Sequence, residues 1–253
     1  PPELVRAGGL QGLPHGFFGR RGGVSAGVVA GLNCGIGSAD DPAAVAENRA
    51  RAVAAVLPGA ALVGVYQIHS ADCVIVRDAW ADADRPRADA LVTDRPGILL
   101  GILTADCAPV LLADREAGVV GAAAAGWKGA LAGVTDRTIA AMESLGARTG
   151  AIVAAIGPCI ARQSYEMDEA FRQRFCAADA DNARFFAPGS RPGHALFDLE
   201  AYVAARLRAA GVRSVEPLGL DTYAQPDRFY SFRRASHRGE PDYGRQLSVI
   251  GSY

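Results

Sequence analysis

The sequence predicts a single-domain α+β fold, a mixed α/β sandwich, and three observations point to it. Short apolar, β-branched runs crowd the middle of the chain. Helical patterns fall around them without strict strand–helix alternation. No Pro/Ser-rich linker or internal repeat divides the 253 residues. That length permits one large domain or two small ones, and the uninterrupted pattern favours one domain over residues 1–253.

The elements follow in order. Residues 17–25, glycine-rich and basic, read as a strand end passing into a loop. Asp40-Asp41-Pro42 predicts a helix start, with an aspartate cap and proline at the first helical position. Ala46, Ala50, Val53 and Leu57 recur there at helical spacing, and Pro58-Gly59 stops the helix. Strands are predicted at residues 61–65, 73–76, 90–93, 98–104, 110–113 and 119–123, separated by turn residues. From Gly129 a helix is predicted, with Leu131, Val134, Ile139, Met142 and Leu145 apolar and Gly146 ending it. Residues 151–156 read as a buried strand and 167–176 as a helix. Asp198 caps a further helix, with Leu199, Tyr202, Val203 and Leu207 inward and Gly211 as terminator. Residues 213–218, 228–232 and 246–250 look like closing strands.

Half of the residues are hydrophobic and 21% charged, as in folded soluble proteins. A net charge of -1 argues against a nucleic-acid partner, which needs a basic face, and leaves room for a local basic pocket. Thr104, Asp106 and Pro109 interrupt the longest apolar runs below the roughly 18 residues of a membrane span, so no membrane partner is expected. No secretory signal pattern is visible. Cys34, Cys73, Cys107, Cys159 and Cys176 lack framework spacing and read as reduced thiols, so a cytoplasmic location is expected.

Cys107 follows an apolar run that resembles a central strand, at the kind of rigid end where active sites sit. A buried, inert thiol is the commoner role for a cysteine, and both readings stay open. His69 lies in a polar turn after Gln67, as a ligand, a catalytic group or a merely solvated ring. His15 and His237 lie in Gly/Arg-rich loops within possible reach of a site, and His194 reads as a loop residue. Gly126-Trp127-Lys128-Gly129 joins a strand to a helix; it suits an anion, or else Trp127 caps the core. Arg20, Arg21, Arg233 and Arg234 are further candidates for anion contacts, against the plainer reading of a solvated face.

Taken together, several motifs carry a resemblance. Gly-Arg-Arg-Gly-Gly-Val-Ser, Gln-x-His, Ala-Asp-Ala-Leu-Val-Thr, Thr-Ala-Asp-Cys-Ala-Pro-Val, Ala-Gly-Trp-Lys-Gly, Ile-Gly-Pro-Cys-Ile and Phe-Tyr-Ser-Phe-Arg-Arg occur in order from Phe17 to Ser248. The chain resembles the YfiH/laccase-domain family, whose members have been described as multi-copper polyphenol oxidases and as zinc-dependent purine nucleoside phosphorylases. The resemblance implies a fold similar to the cytotoxic-necrotizing-factor-like deamidases. It implies phosphorolysis of adenosine, inosine and S-methyl-5′-thioadenosine, with adenosine deamination as a side activity. Purine nucleoside and phosphate would be the partners of a monomer or homodimer. His69 and Cys107 would be catalytic and metal-holding, with zinc as cofactor and copper possible. Arg20, Asn33 and Lys128 would bind substrate. Tyr66 or Phe232 would stack on the base, although core packing is the commoner role for either.

The family's third ligand is a histidine just before Ala-Gly-Trp, and that position holds Ala124. Zinc wants at least three protein donors, so reduced occupancy and weakened turnover are expected of this chain. Two other enzyme classes stand beside this reading. A metal-independent Cys107–His69 amidase or deamidase survives the loss at position 124. A copper-dependent polyphenol oxidase is weaker, because four scattered histidines cannot build a multi-copper cluster. A non-catalytic nucleoside binder is the remaining alternative.

Overall fold

A computed structural model describes the whole chain, residues 1–253. Two sheets pack face to face at its centre. The first has five strands in the order β1 (Leu4–Val5), β2 (His15–Phe18), β14 (Gln246–Gly251), β6 (Ile98–Thr104) and β3 (Ala61–Val63). The second has six, in the order β13 (Ser214–Pro217), β9 (Val153–Ile156), β7 (Ala108–Asp114), β8 (Val119–Ala125), β5 (Ala90–Thr93) and β4 (Cys73–Ile75). Both mix parallel and antiparallel pairs, as an α+β sandwich without regular alternation should.

Between the sheets, Phe17, Leu100, Ile102 and Ile250 meet Leu91, Leu111, Val120 and Ala122. The outer face of the six-stranded sheet packs Val92, Val110 and Leu112 against helices α3 (Val134–Ser144) and α5 (Leu199–Ala209). The outer face of the five-stranded sheet packs Phe18, Leu99 and Val249 against helix α1 (Pro42–Val56). Helices therefore cover both outer faces. Every residue of β7 and β8 is buried, which is why these strands read as continuous apolar runs.

A small third sheet, β10 (Glu166–Asp168), β12 (His194–Phe197) and β11 (Phe186–Pro188), carries helix α4 (Glu169–Ala178). The Phe175 and Phe197 rings lie 4.7 Å apart, tilted by 50°, at its heart, and Trp127 and Phe171 meet edge to face at 5.1 Å. Trp127 thus caps an aromatic cluster.

The helix signals are largely realised. Asp41 and Asp198 accept hydrogen bonds from Ala43 N and Ala201 N at the starts of α1 and α5, and the four residues expected inward on α5 are buried. Three histidines expected in loops lie in regular elements: His15 opens β2, His194 opens β12 and His237 ends a short helix. Four of the element expectations fail for identifiable reasons. On α1 the buried stripe runs through Val45, Asn48, Ala52 and Val56, while Ala46 and Ala50 are exposed. The Asn48 amide sets that face, bonding Val24 N, Ser25 Oγ and Asn33 O. The single helix expected from Gly129 is two, α2 (Trp127–Ala132) and α3, broken where Gly133 turns left-handed at φ 96°. The helix expected at residues 167–176 begins at Glu169, because Asp168 caps it and Met167 belongs to β10. Residues 228–232 do not form a strand. The Gln246 side-chain amide takes both backbone groups of Tyr230, and Ser231 starts helix α6 (Phe232–His237).

Candidate functional site

The β7–β8 register builds the site. Ala108 pairs with Ala125 and Pro109 with Ala124, so one step further Cys107 stands opposite Gly126. A Cβ placed on Gly126 would lie 2.8 Å from Cys107 Sγ and 3.4 Å from His69 Cδ2. The imidazole and the thiol, far apart in sequence, thus converge over one glycine. Side chains alternate along a strand, so position 124 shares the face of Cys107 at a diagonal step of roughly 7 Å. The resemblance would put a third donor at position 124, and this chain carries only the Ala124 methyl group there.

Two buried carboxylates hold the two side chains in place. Asp89, just ahead of β5, accepts hydrogen bonds from His69 N at 2.9 Å, Ser70 N at 2.7 Å and Ser70 Oγ at 2.7 Å. Gln67 pairs through its amide with both backbone groups of Leu103, at 2.7 and 2.8 Å, and extends β6 sideways. On the other side, Asp106 accepts from Thr222 Oγ1 and from Arg233 N, each at 2.7 Å. His69 (φ 59°) and Asp106 (φ 97°) are the only non-glycine residues with left-handed backbone. Strain of this kind persists only where surrounding bonds over-determine it, and it gathers at functional sites.

Burial pushes the Cys107 thiol up to about 12, and the negative charges of Asp106 and Asp89 act in the same direction. Burial also raises the Asp106 carboxyl, opposed by its bonds from Arg233 and Thr222. A thiol between two acids stays protonated at neutral pH unless a cation joins it. The surroundings therefore do not ready Cys107 as an unaided nucleophile.

The other expected residues lie in different settings. Lys128 is exposed on α2, its ammonium 5.5 Å from the centre of the Trp127 ring. Asn33 is buried with its amide fully committed: it donates to Ser38 Oγ and Asp40 Oδ2 and accepts from Gly35 N and Arg245 N. It shapes a loop and has no donor left for a substrate. Arg20 lies in a separate small cleft, its guanidinium 4.5 Å from the centre of the Tyr230 ring. Tyr66 and Phe232 are both 51% exposed, so neither packs in the core as expected.

No group of three His, Cys, Asp or Glu side chains is gathered to hold a metal ion. His15 bonds Ala7 N and Leu13 O through its two ring nitrogens, and His237 bonds the Tyr223 hydroxyl, so neither supplies the missing donor. One imidazole and one thiol fall short of the three donors of a catalytic zinc and further short of a copper cluster. The residues present do not fit either metal as a resident group. Gln67, Asp89, Asp106 and Thr222 escaped the sequence reading as site residues. Gln67, Asp89 and Asp106 each lie within one of the quoted motifs, and Asp89 carried a further signal as an acid opening an apolar strand, since a buried carboxylate must find donors; Thr222 carried none.

Comparison with known proteins adds the following. A family model described as multi-copper polyphenol oxidoreductase laccase matches residues 14–252. A purine nucleoside phosphorylase of Deinococcus radiodurans is 44% identical over 253 aligned residues, covering 98% of this chain and 92% of that one. A purine nucleoside phosphorylase of Streptomyces griseus is 41% identical, covering 90% and 92%. Among solved structures, a Neisseria meningitidis protein superposes with a TM-score of 0.88 at 32% identity, covering 99% of this chain and 98% of that one. YfiH from Bacillus licheniformis superposes with a TM-score of 0.88 at 27% identity, covering 100% and 97%. No helix is long and apolar enough to cross a membrane.

Proposed function

Because this chain belongs to the multi-copper polyphenol oxidoreductase laccase family, we propose that it acts on purine nucleosides with inorganic phosphate, as the names of its Deinococcus and Streptomyces relatives suggest. The observation that carries this reading is the convergence of His69 and Cys107 over Gly126, with position 124 beside them. The exposed His69 imidazole holds or passes a proton at the mouth of the site. The exposed Tyr66 ring, one residue before Gln67 and flanked by the guanidiniums of Arg85 and Arg87 at 5.8 and 5.5 Å, offers an aromatic surface for a purine, and the exposed Lys128, two residues after Gly126, offers a cation. Adenosine, inosine and S-methyl-5′-thioadenosine are the substrates to expect, with adenosine deamination as a second reaction.

Ala124 leaves the centre one donor short, so turnover in this chain is low. A soft thiolate with two imidazoles suits zinc, and that donor set exists only once histidine is restored at position 124. The test is an activity panel of the three nucleosides with phosphate and zinc, run on this chain and on Ala124→His, with zinc per chain measured by mass spectrometry. Ala124→His is expected to bind one zinc and to exceed the parent by at least about tenfold. Equal turnover by the two forms would overturn the role given to position 124. Failure of the zinc-loaded Ala124→His form on every nucleoside would overturn the substrate assignment.

A further inference from the structure

A second cleft, of about 170 Å³, lies between the loop that follows β2 and helix α6. Three guanidiniums line it, those of Arg20, Arg234 and Arg238, with Ser231, Tyr243 and a single carboxylate, Glu240. Two of the three are fixed by groups without formal charge. Arg234 is buried and donates to the carbonyls of Thr222, Tyr223 and Phe229. Arg20 donates to the carbonyls of Ala30 and Pro226 and lies over the Tyr230 ring. The third, Arg238, is exposed and has only a loose contact with Glu240, at 3.8 Å.

Three positive charges against one negative leave an excess of two in this cleft. Like charges gathered in a partly dry space repel unless an anion joins them; burial, then the charges of Arg20 and Arg238, disfavour the Arg234 cation, and the carboxylates of Asp106 and Glu240 oppose them. Donors also remain. Arg234 keeps its Nε–H, Arg20 keeps one N–H on each terminal nitrogen, and most of the Arg238 fork is unengaged. Guanidinium forks match the oxygens of a tetrahedral anion better than any other side chain. The volume is well below the roughly 300 Å³ that encloses a whole drug-sized ligand, and it suits a single oxyanion.

We propose that this cleft is an oxyanion site for a phosphate-sized group, either inorganic phosphate or the phosphoryl group of a nucleotide. It is separate from the His69–Cys107 centre but one hydrogen-bonded layer away. Arg234 donates to the Thr222 carbonyl, and the Thr222 hydroxyl donates to Asp106, the neighbour of Cys107. At the rim, the exposed Phe232 ring meets Tyr243 edge to face at 5.1 Å, giving an apolar platform for a base carried on the phosphoryl group. The site requires no turnover, so it stands whether or not nucleosides are cleaved.

The test is calorimetric titration of the whole chain at constant ionic strength, with inorganic phosphate and adenosine 5′-monophosphate in separate runs and chloride as the reference salt. Arg238→Gln and Arg238→Glu remove and reverse the exposed charge without touching the carbonyl-bonded guanidiniums. Arg213→Gln, at the exposed position just before β13 and outside the cleft lining, controls for loss of one surface charge. One equivalent of anion should bind, about tenfold or more weakly in Arg238→Gln, undetectably in Arg238→Glu and unchanged in Arg213→Gln. Tighter binding of the nucleotide would identify a carried phosphoryl group, and tighter binding of phosphate the free ion; each supports the site. No binding beyond the chloride reference, or binding indifferent to both Arg238 substitutions, would overturn it. Because nucleoside is absent from the titration, its outcome is independent of the phosphorylase assay.

Discussion

Replacing Asp89 by asparagine should release the loop that carries His69. The buried Asp89 carboxylate accepts from Ile68 N, His69 N, Ser70 N and Ser70 Oγ, with the three shorter contacts between 2.7 and 2.9 Å. Asparagine keeps one oxygen and turns an amine toward the donors the other oxygen served, so at least one donor loses its acceptor and the rest lose their charge assistance. Hydrogen bonds to charged groups contribute roughly 1.5–3 kcal/mol each, which puts the combined loss at about 3 kcal/mol. The left-handed His69 backbone, at φ 59°, adds a cost of roughly 1–2 kcal/mol that nothing then offsets, so the loop should open locally before the sheets do. Urea unfolding should give a stability lower by about 3 kcal/mol, with the Ile68–Ser70 amides exchanging on the order of a hundredfold faster. A change within about 0.5 kcal/mol, as at an ordinary surface position, with unchanged exchange would refute this account of how the loop is held.

Two further outcomes are expected. Gly126→Ala is compatible with the backbone there (φ -72°, ψ 169°), but its methyl would lie 2.8 Å from Cys107 Sγ. Overpacking should lower stability by about 1–3 kcal/mol, and the zinc content of an Ala124→His background should fall; retention of full zinc in the double variant would contradict the convergence on this glycine. For His15, burial lowers the ring pKa from 6.5, and Nε2 must stay unprotonated to accept from Ala7 N. Well above pH 6.5 the ring is neutral in both states and contributes no pH dependence; as pH falls through 6.5 the unfolded chain takes up the proton first and stability declines. His15→Gln should flatten the loss between about pH 7 and pH 5 in thermal unfolding, and an equal slope in both forms would show that this ring is not responsible.

Much of the site was legible because its chemistry is written in local motifs. Cys107 follows a two-sided apolar run that resembles a central strand, and it lies just beyond β6, in the turn that leads into β7. The donors that fix it were not legible. Asp106 is satisfied by Thr222 and Arg233, more than a hundred residues away, and no local pattern announces such a pairing. Arg20 and Arg234 were legible as candidates for anion contacts, but their meeting in one cleft and the addition of Arg238 were not, because only the fold brings the third guanidinium beside them.

By itself the sequence determined most of the element types, the caps at Asp41 and Asp198, the family motifs and the alanine at position 124, because each depends on residues within a few positions of one another. Only the tertiary structure decided which stripe of alanine-rich α1 turns inward, where Gly133 breaks a helix in two, and why residues 228–232 leave the sheet. It also decided that His69 and Cys107 meet while Asn33 stays committed to its own loop. These outcomes depend on strand register and on buried amides and carboxylates finding distant partners. A hydrogen bond that closes a gap of a hundred residues leaves no periodic trace in the chain.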